Sequence, residues 1–192
     1  GSTGQTITFT WLDSGPTPTL WGGIRFSGGT GHLRHATVSH ARHQSHPCAV
    51  CIHNVDENGD QVVMEHTTVT NNPDHGVEIF GSRVHIHSCT FSHNGETADD
   101  AGLYVSGTLY QNDDPTLGAV VQYSHFDNNA GYGIYTDQGA RLTLLFTNSA
   151  DGNGVSPVRR QAHNLDDVLN GGNSFQGNTL DYLLIGQQDA PD

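Results

Sequence analysis

Residues 43 to 53, His43-Gln-Ser-His46-Pro-Cys48-Ala-Val-Cys51-Ile-His53, gather imidazole and thiol groups within one short stretch. Imidazole nitrogen and thiolate sulfur suit zinc, a borderline cation, so His43, His46, Cys48, Cys51 and His53 are candidate zinc ligands. A closed site needs four ligands that converge. Alternation puts Cys51 and His53 on a strand and leaves His43 and His46 on the loop before it, so the competing reading is a set of solvent-facing histidines on a polar sheet. Ile52, not histidine, follows the second cysteine, which excludes a c-type haem attachment. A second stretch, Asp56-Glu-Asn-Gly-Asp60, spaces oxygens at alternate positions, making Asp56, Asn58 and Asp60 candidate calcium ligands. Gly59 comes too early for an EF-hand loop, and Asn58-Gly59 serves equally as a tight turn. Zinc and calcium are the cofactors these two stretches could hold.

The elements that position these groups repeat. Gly76-Val-Glu-Ile-Phe80, then Arg83-Val-His-Ile-His87, then Cys89-Thr-Phe-Ser92 are three alternating runs separated by abrupt turns, and period two means strands. The first run recurs with Ile24, Val50, Val77, Leu103 and Ile134 leading, roughly every 26 residues, which is the signature of a solenoid. The second run aligns Leu33, Met64, Ile86, Val121 and Leu144; the third aligns Val38, Val69, Phe91, Phe126 and Ser149. Asn, Asp, Gly and His cluster after each third run, where left-handed backbone is needed. One such unit cannot bury its own apolar face, so stability must come from stacking like on like, about 4.8 Å apart.

Composition narrows the classes. A net charge of −13, with seven arginines and no lysine, excludes a phosphate-tracking nucleic-acid binder. No apolar run is long enough to cross a membrane as a helix, so membrane insertion is not expected. An apolar content of 34% is low for a two-layer globule but adequate for a narrow stacked core. Three cysteines give no disulfide framework to read in a chain of this size, and Cys89 falls in an inward column as a small core residue.

With its columns placed, the chain resembles the right-handed parallel β-helix superfamily shared by pectin-type lyases, alginate epimerases, phage tailspikes and bacterial surface proteins. Gly4-Gln-Thr-Ile-Thr-Phe-Thr10, Trp21-Gly-Gly-Ile-Arg-Phe26 and Leu33-Arg-His-Ala-Thr-Val-Ser-His-Ala41 are similar to runs of large secreted bacterial β-helix proteins. The resemblance implies an exported, surface-attached chain and no single chemistry. It also implies that substrate would lie on the outer face of the first sheet, walled by the loops after the third. Carried onto this chain, that face is Arg25, Cys51, Glu78, Tyr104 and Tyr135, with Ser27, His53, Phe80, Ser106 and Asp137 beside it. Asp74, His75 and the loop from His93 form the walls.

Paired carboxylates on that face would be Glu78 and Asp137, with His53 as a third catalytic candidate. Two strand spacings set the acids about 10 Å apart, beyond the usual inverting separation of about 6.5–9.5 Å. A uronate lyase or epimerase would need a cation and a base, and Arg25 is the cation this face offers. At the corner after the second run, where relatives stack asparagine, the chain has His35, His66, Ser88, Tyr123 and Phe146, so a ladder of other side chains is expected there.

The expected fold is therefore all-β, a single-domain right-handed parallel β-helix of about six rungs and three parallel sheets. Residues 1–21 read as the tail of a preceding rung or cap, 22–154 as regular rungs, 155–172 as an insertion with a short helical turn at 164–169, and 173–192 as the last rung and tail. Residues 107 to 118 form a smaller insertion. The expected function is an extracellular, adhesin-like binding module that takes polysaccharide or cell-surface glycan through Arg25, Phe80, Tyr104, Tyr135, Asp74 and His75. The alternatives are a polysaccharide-acting enzyme on the same face, or a self-assembling module whose open end pairs with another copy or with flanking parts of a larger chain.

Overall fold

The computed structural model describes residues 4–11, 20–43, 45–55, 61–107, 118–137, 140, 142–144, 147–161, 172–181 and 184–186. Among them every strand pairing is parallel, and no segment is helical. Three sheets result, each stacking the corresponding strands of successive turns of the coil, as expected for a parallel β-helix. The first sheet runs through Ile24–Ser27, Cys48–His53, His75–Phe80, Ala101–Ser106, Tyr132–Thr136, Ser156–Gln161 and Leu184–Gly186. The second takes Gly31–Arg34, Val62–Glu65, Arg83–His87, Gly118–Gln122 and Leu142–Leu144; the third takes Ile7–Phe9, Ala36–Ser39, Thr68–Thr70, Thr90–Ser92 and His125–Asp127.

Register follows the apolar columns. Val50 pairs with Val77, Val77 with Leu103, and Leu103 with Ile134; Leu33, Met64, Ile86, Val121 and Leu144 pair in turn on the second sheet. Shifting any strand by one residue would turn its apolar set outward, so burial pins the register. Val50, Val77, Leu103, Met64, Ile86 and Val121 are fully buried, and Phe91 stacks on Phe126 with centroids 4.9 Å apart and planes 12° apart. At the end of the third column the expected alignment slips by one. Ser149 bridges His125 rather than Phe126, and the buried residue there is Ala150. Cys89 is fully buried as expected, and burial pushes its thiol up to about 12.

The segment expected as an insertion from 155 to 172 opens with a strand of the first sheet, because Ser-Pro-Val-Arg-Arg-Gln alternates in step with Tyr132–Thr136. Residues 164–169 and most of the expected 107 to 118 insertion lie outside the described residues.

The corners explain the polar clusters. His35, His66, Ser88, Tyr123 and Thr147 hold φ between 47° and 53°, the left-handed bend between second and third runs. Phe146 lies outside the described residues, and Thr147 carries the bend in that turn. His35 and His66 stack at 5.0 Å, and His66, His87 and Tyr123 continue the aromatic contacts edge-on.

An asparagine ladder does exist, at a different corner from the one considered in the sequence. After the third run, Asn72, Asn94, Asn129, Asn153 and Asn178 are all buried, and each amide group donates to the carbonyl oxygen of the next side chain at 2.8 to 3.1 Å. Each side chain from Asn94 onward also donates to a main-chain carbonyl, Val69, Phe91, Phe126 and Ala150 in order. Buried amides thus meet their partners within the stack.

Candidate functional site on the first sheet

The outward column of the first sheet is Arg25, Cys51, Glu78, Tyr104, Tyr135 and Arg159, each paired in register with the next. Because alternate residues of a strand face opposite ways, the same register that buries Val77 and Ile79 presents Glu78. Ser27, His53, Phe80 and Ser106 form the neighbouring column, and Asp137 follows, its N–H bonded to Val105 O at 2.9 Å.

Chemistry divides this face into two patches. In the first, His53 Nε2 lies 3.3 Å from Glu78 Oε1, and His46 meets the His53 ring edge-on at 4.4 Å. His53 and Glu78 are only 4% and 7% exposed, which is unusual for two polar groups on an outer sheet face. The contact is close enough for an ion pair but lacks hydrogen-bond alignment, leaving His53 Nε2 and Glu78 Oε2 buried without hydrogen-bond partners. His43 packs beside His46 at 5.3 Å, and its Nδ1 accepts the Ser45 N–H. Phe80 is 43% exposed and touches the edge of His53.

Cys48 and Cys51 are joined to each other by a disulfide, which corrects the expectation that they are zinc ligands. Their Cα atoms stand 5.7 Å apart, nearer than three residues of extended strand would allow and within the reach of a disulfide, and a disulfide sulfur is no thiolate donor. Asp56, Asn58 and Asp60, the candidate calcium ligands, lie outside the described residues.

Beside this patch opens a cleft of 510 Å³ lined by Leu20, Arg42, His43, His46, Pro47 and Asp74. Arg42 holds its wall in place, reaching Asp74 at 2.9 Å and Glu96 at 3.2 Å. The hydrogen bond to Asp74 raises the Arg42 pKa further above its usual value.

The second patch is aromatic. Tyr104 and Tyr135 meet edge to face at 5.1 Å, Tyr132 lies 5.3 Å from Tyr135, and the Arg159 guanidinium sits 4.6 Å above the Tyr135 ring. The Tyr104 hydroxyl donates to Asp137 at 3.1 Å. Burial first, then the Asp137 charge, pushes the Tyr104 pKa above its ordinary value, so the phenol stays protonated and keeps donating. His75 closes this patch from the wall, its ring 4.7 Å from Tyr104.

The face thus brings Glu78 to His53 and Asp137 to Tyr104, with Tyr104 standing between the two carboxylates. It does not bring Glu78 and Asp137 together as a facing pair. Arg159 was missed in the sequence because the period was taken to stop before it, although Val158 and Arg159 continue the inward-outward alternation.

A family model described as a right handed beta helix region matches residues 21–180. The chain belongs to that family. None of the curated proteins and none of the solved structures matches it. For this right-handed β-helix the chemistry has to be argued from its own face, since the family's architecture carries many functions.

Proposed function

We propose that this β-helix is a binding module that takes glycan along the outer face of its first sheet. The observation that carries the reading is the half-exposed Tyr104–Tyr135–Arg159 array with Asp137 hydrogen-bonded at its edge. Aromatic rings offer flat apolar area to the C–H faces of a sugar, and a carboxylate and a guanidinium beside them take its hydroxyls and acidic groups. From Arg25 to Arg159 the column spans five strand spacings, about 24 Å, which suits an oligosaccharide better than a single sugar. Two arginines at its ends, against an acidic chain, favour a glycan carrying uronate or another acidic sugar.

An extracellular setting is part of the same proposal. The Cys48–Cys51 disulfide supports it, because disulfides persist where the environment is oxidising. Ile24–Ser27 and Gly31–Arg34 each pair on one side only among the described residues, and we propose those edges as the place where flanking rungs or a second copy would add. Sedimentation equilibrium over a wide concentration range tests self-association, and a monomer throughout removes it.

A glycan array probed with labelled protein tests the main reading. Retention on acidic oligosaccharides, lost in a Tyr135→Ala, Arg159→Ala double variant, is the expected result. No retention on any glycan, or retention unchanged in that variant, overturns it. Release of new reducing ends or unsaturated uronates from a bound glycan would replace binding by catalysis.

A further inference from the structure

We propose that His46, His53 and Glu78 form a site for a single divalent cation of borderline softness, zinc being the ion that fits. Each offers one ligand atom, and all these atoms lie within 4.8 Å of one another.

The distances are those of ligands rather than of a hydrogen-bonded pair. A tetrahedral zinc centre with bonds of about 2.0–2.1 Å has ligand-to-ligand edges of roughly 3.3 Å. His53 Nε2 and Glu78 Oε1 stand 3.3 Å apart, without the alignment of a hydrogen bond. Two groups packed against each other for their own sake would align, since a buried polar atom without a partner costs free energy. Here His53 Nε2 and Glu78 Oε2 are both buried and both lack a hydrogen-bond partner. A cation between them supplies His53 Nε2 with the partner it is missing and the buried Glu78 carboxylate with a counter-charge.

The donor set selects the metal. Two imidazoles and one carboxylate suit zinc and its neighbours, whereas calcium and magnesium prefer oxygen alone. The neighbouring sulfurs do not compete while Cys48 and Cys51 remain bonded. His53 and Glu78 sit on adjacent, hydrogen-bonded strands, and His46 stands on the connecting segment before Cys48–His53, its ring 4.4 Å from that of His53. His46 also lines the 510 Å³ cleft. Three protein ligands beside an open cleft leave a coordination position for an acidic group of a ligand. The site does not depend on the glycan reading, because its test needs metal alone.

The experiment is a zinc chloride titration of the full chain, untagged and stripped with chelator, without reductant so that the disulfide stays closed. Calorimetry should give one zinc per chain, with the thermal midpoint rising as the site fills. Cobalt(II) in place of zinc should give the absorption of a low-coordinate site. Glu78→Gln and His53→Ala should each weaken zinc by more than the 10- to 100-fold that losing a supporting partner costs, and His46→Ala should weaken it by about tenfold or more on the same scale. His35→Ala with His66→Ala, on a different corner, should leave affinity unchanged. Should His53→Ala fail to fold, Glu78→Gln and His46→Ala decide, each first checked by circular dichroism. No stoichiometric zinc, or zinc held equally by wild type and Glu78→Gln, overturns the proposal. So does loss of binding only in the His35→Ala, His66→Ala control.

Discussion

The side-chain amide of Asn94 donates to the side-chain oxygen of Asn129 at 3.1 Å and to the main-chain oxygen of Val69 at 3.0 Å, tying its own rung both to the one that follows and to the one before. The same Asn129 oxygen also accepts the main-chain N–H of Asn94. One oxygen therefore serves two donors in a place water does not reach.

Asn129→Ala should cost about 2–3 kcal/mol of stability, because it strands two Asn94 donors and the Phe91 carbonyl inside the coil. Urea unfolding, read as a change in midpoint at constant slope, checks this. A loss below half a kcal/mol would mean that water replaces the amide.

Gly102→Ala should also destabilise, by about 1–3 kcal/mol as for other overpacked sites. A Cβ there would stand 2.8 Å from the Asn129 amide nitrogen and 2.9 Å from the Gly133 carbonyl oxygen. The glycine at the head of the first run is thus required by the ladder behind it. In an Asn129→Ala background the same substitution should cost less, which a double-mutant cycle would detect.

Acid should loosen the wall beside Tyr104. His75 Nδ1 accepts the Ala101 N–H at 3.0 Å, so the folded chain holds this imidazole neutral, and its 3.7 Å approach to Asp100 is not an ion pair at neutral pH. Burial lowers the His75 pKa from its usual 6.5, only partly offset by Asp100. The unfolded chain therefore takes the proton first, so the stability is full above about 6.5 and is lost as pH falls toward the lowered folded value. His75→Gln should flatten the fall in denaturation midpoint between pH 7 and 5 relative to wild type.

For the binding face, Tyr135→Ala should lower affinity for an array-selected glycan about tenfold, equivalent to about 1.4 kcal/mol, without moving the unfolding midpoint by more than about half a kcal/mol. Asp137→Asn keeps the Tyr104 hydrogen bond and should cost less. Glycan titrations by calorimetry separate the two, and equal losses would show that charge rather than ring contact dominates.

Much of the fold was legible because apolar periodicity is imposed by burial. Val77, Ile86 and Phe91 each found the right partners, since a one-residue slip would expose whole columns. The alignment failed at Ser149, where small residues replaced the aromatic core and the pattern lost contrast. The asparagine ladder escaped because its residues sit among surface Asn, Asp and Gly, and composition alone does not tell an inward amide from a turn-forming one. A signal was present: Asn72, Asn94 and Asn129 each follow the third run, and each precedes a first run led by Gly76, Gly102 or Gly133. On the face, the contact of His53 with Glu78 joins residues of adjacent strands and needed three-dimensional register. The disulfide needed it too, since Cys48-Ala-Val-Cys51 reads equally as a metal-ligand pair.

The register of the first sheet gives its outer column the character of a written line. Arg25, Cys51, Glu78, Tyr104, Tyr135 and Arg159 occupy one place per rung, in chain order, while the interior pairs independently behind them. Changing one such residue leaves the interior register as it was and is felt by the neighbours it touches on the face, as Tyr135 touches Tyr104 and Arg159, so recognition by this molecule can be edited, and can drift in evolution, phrase by phrase along a scaffold that stays the same.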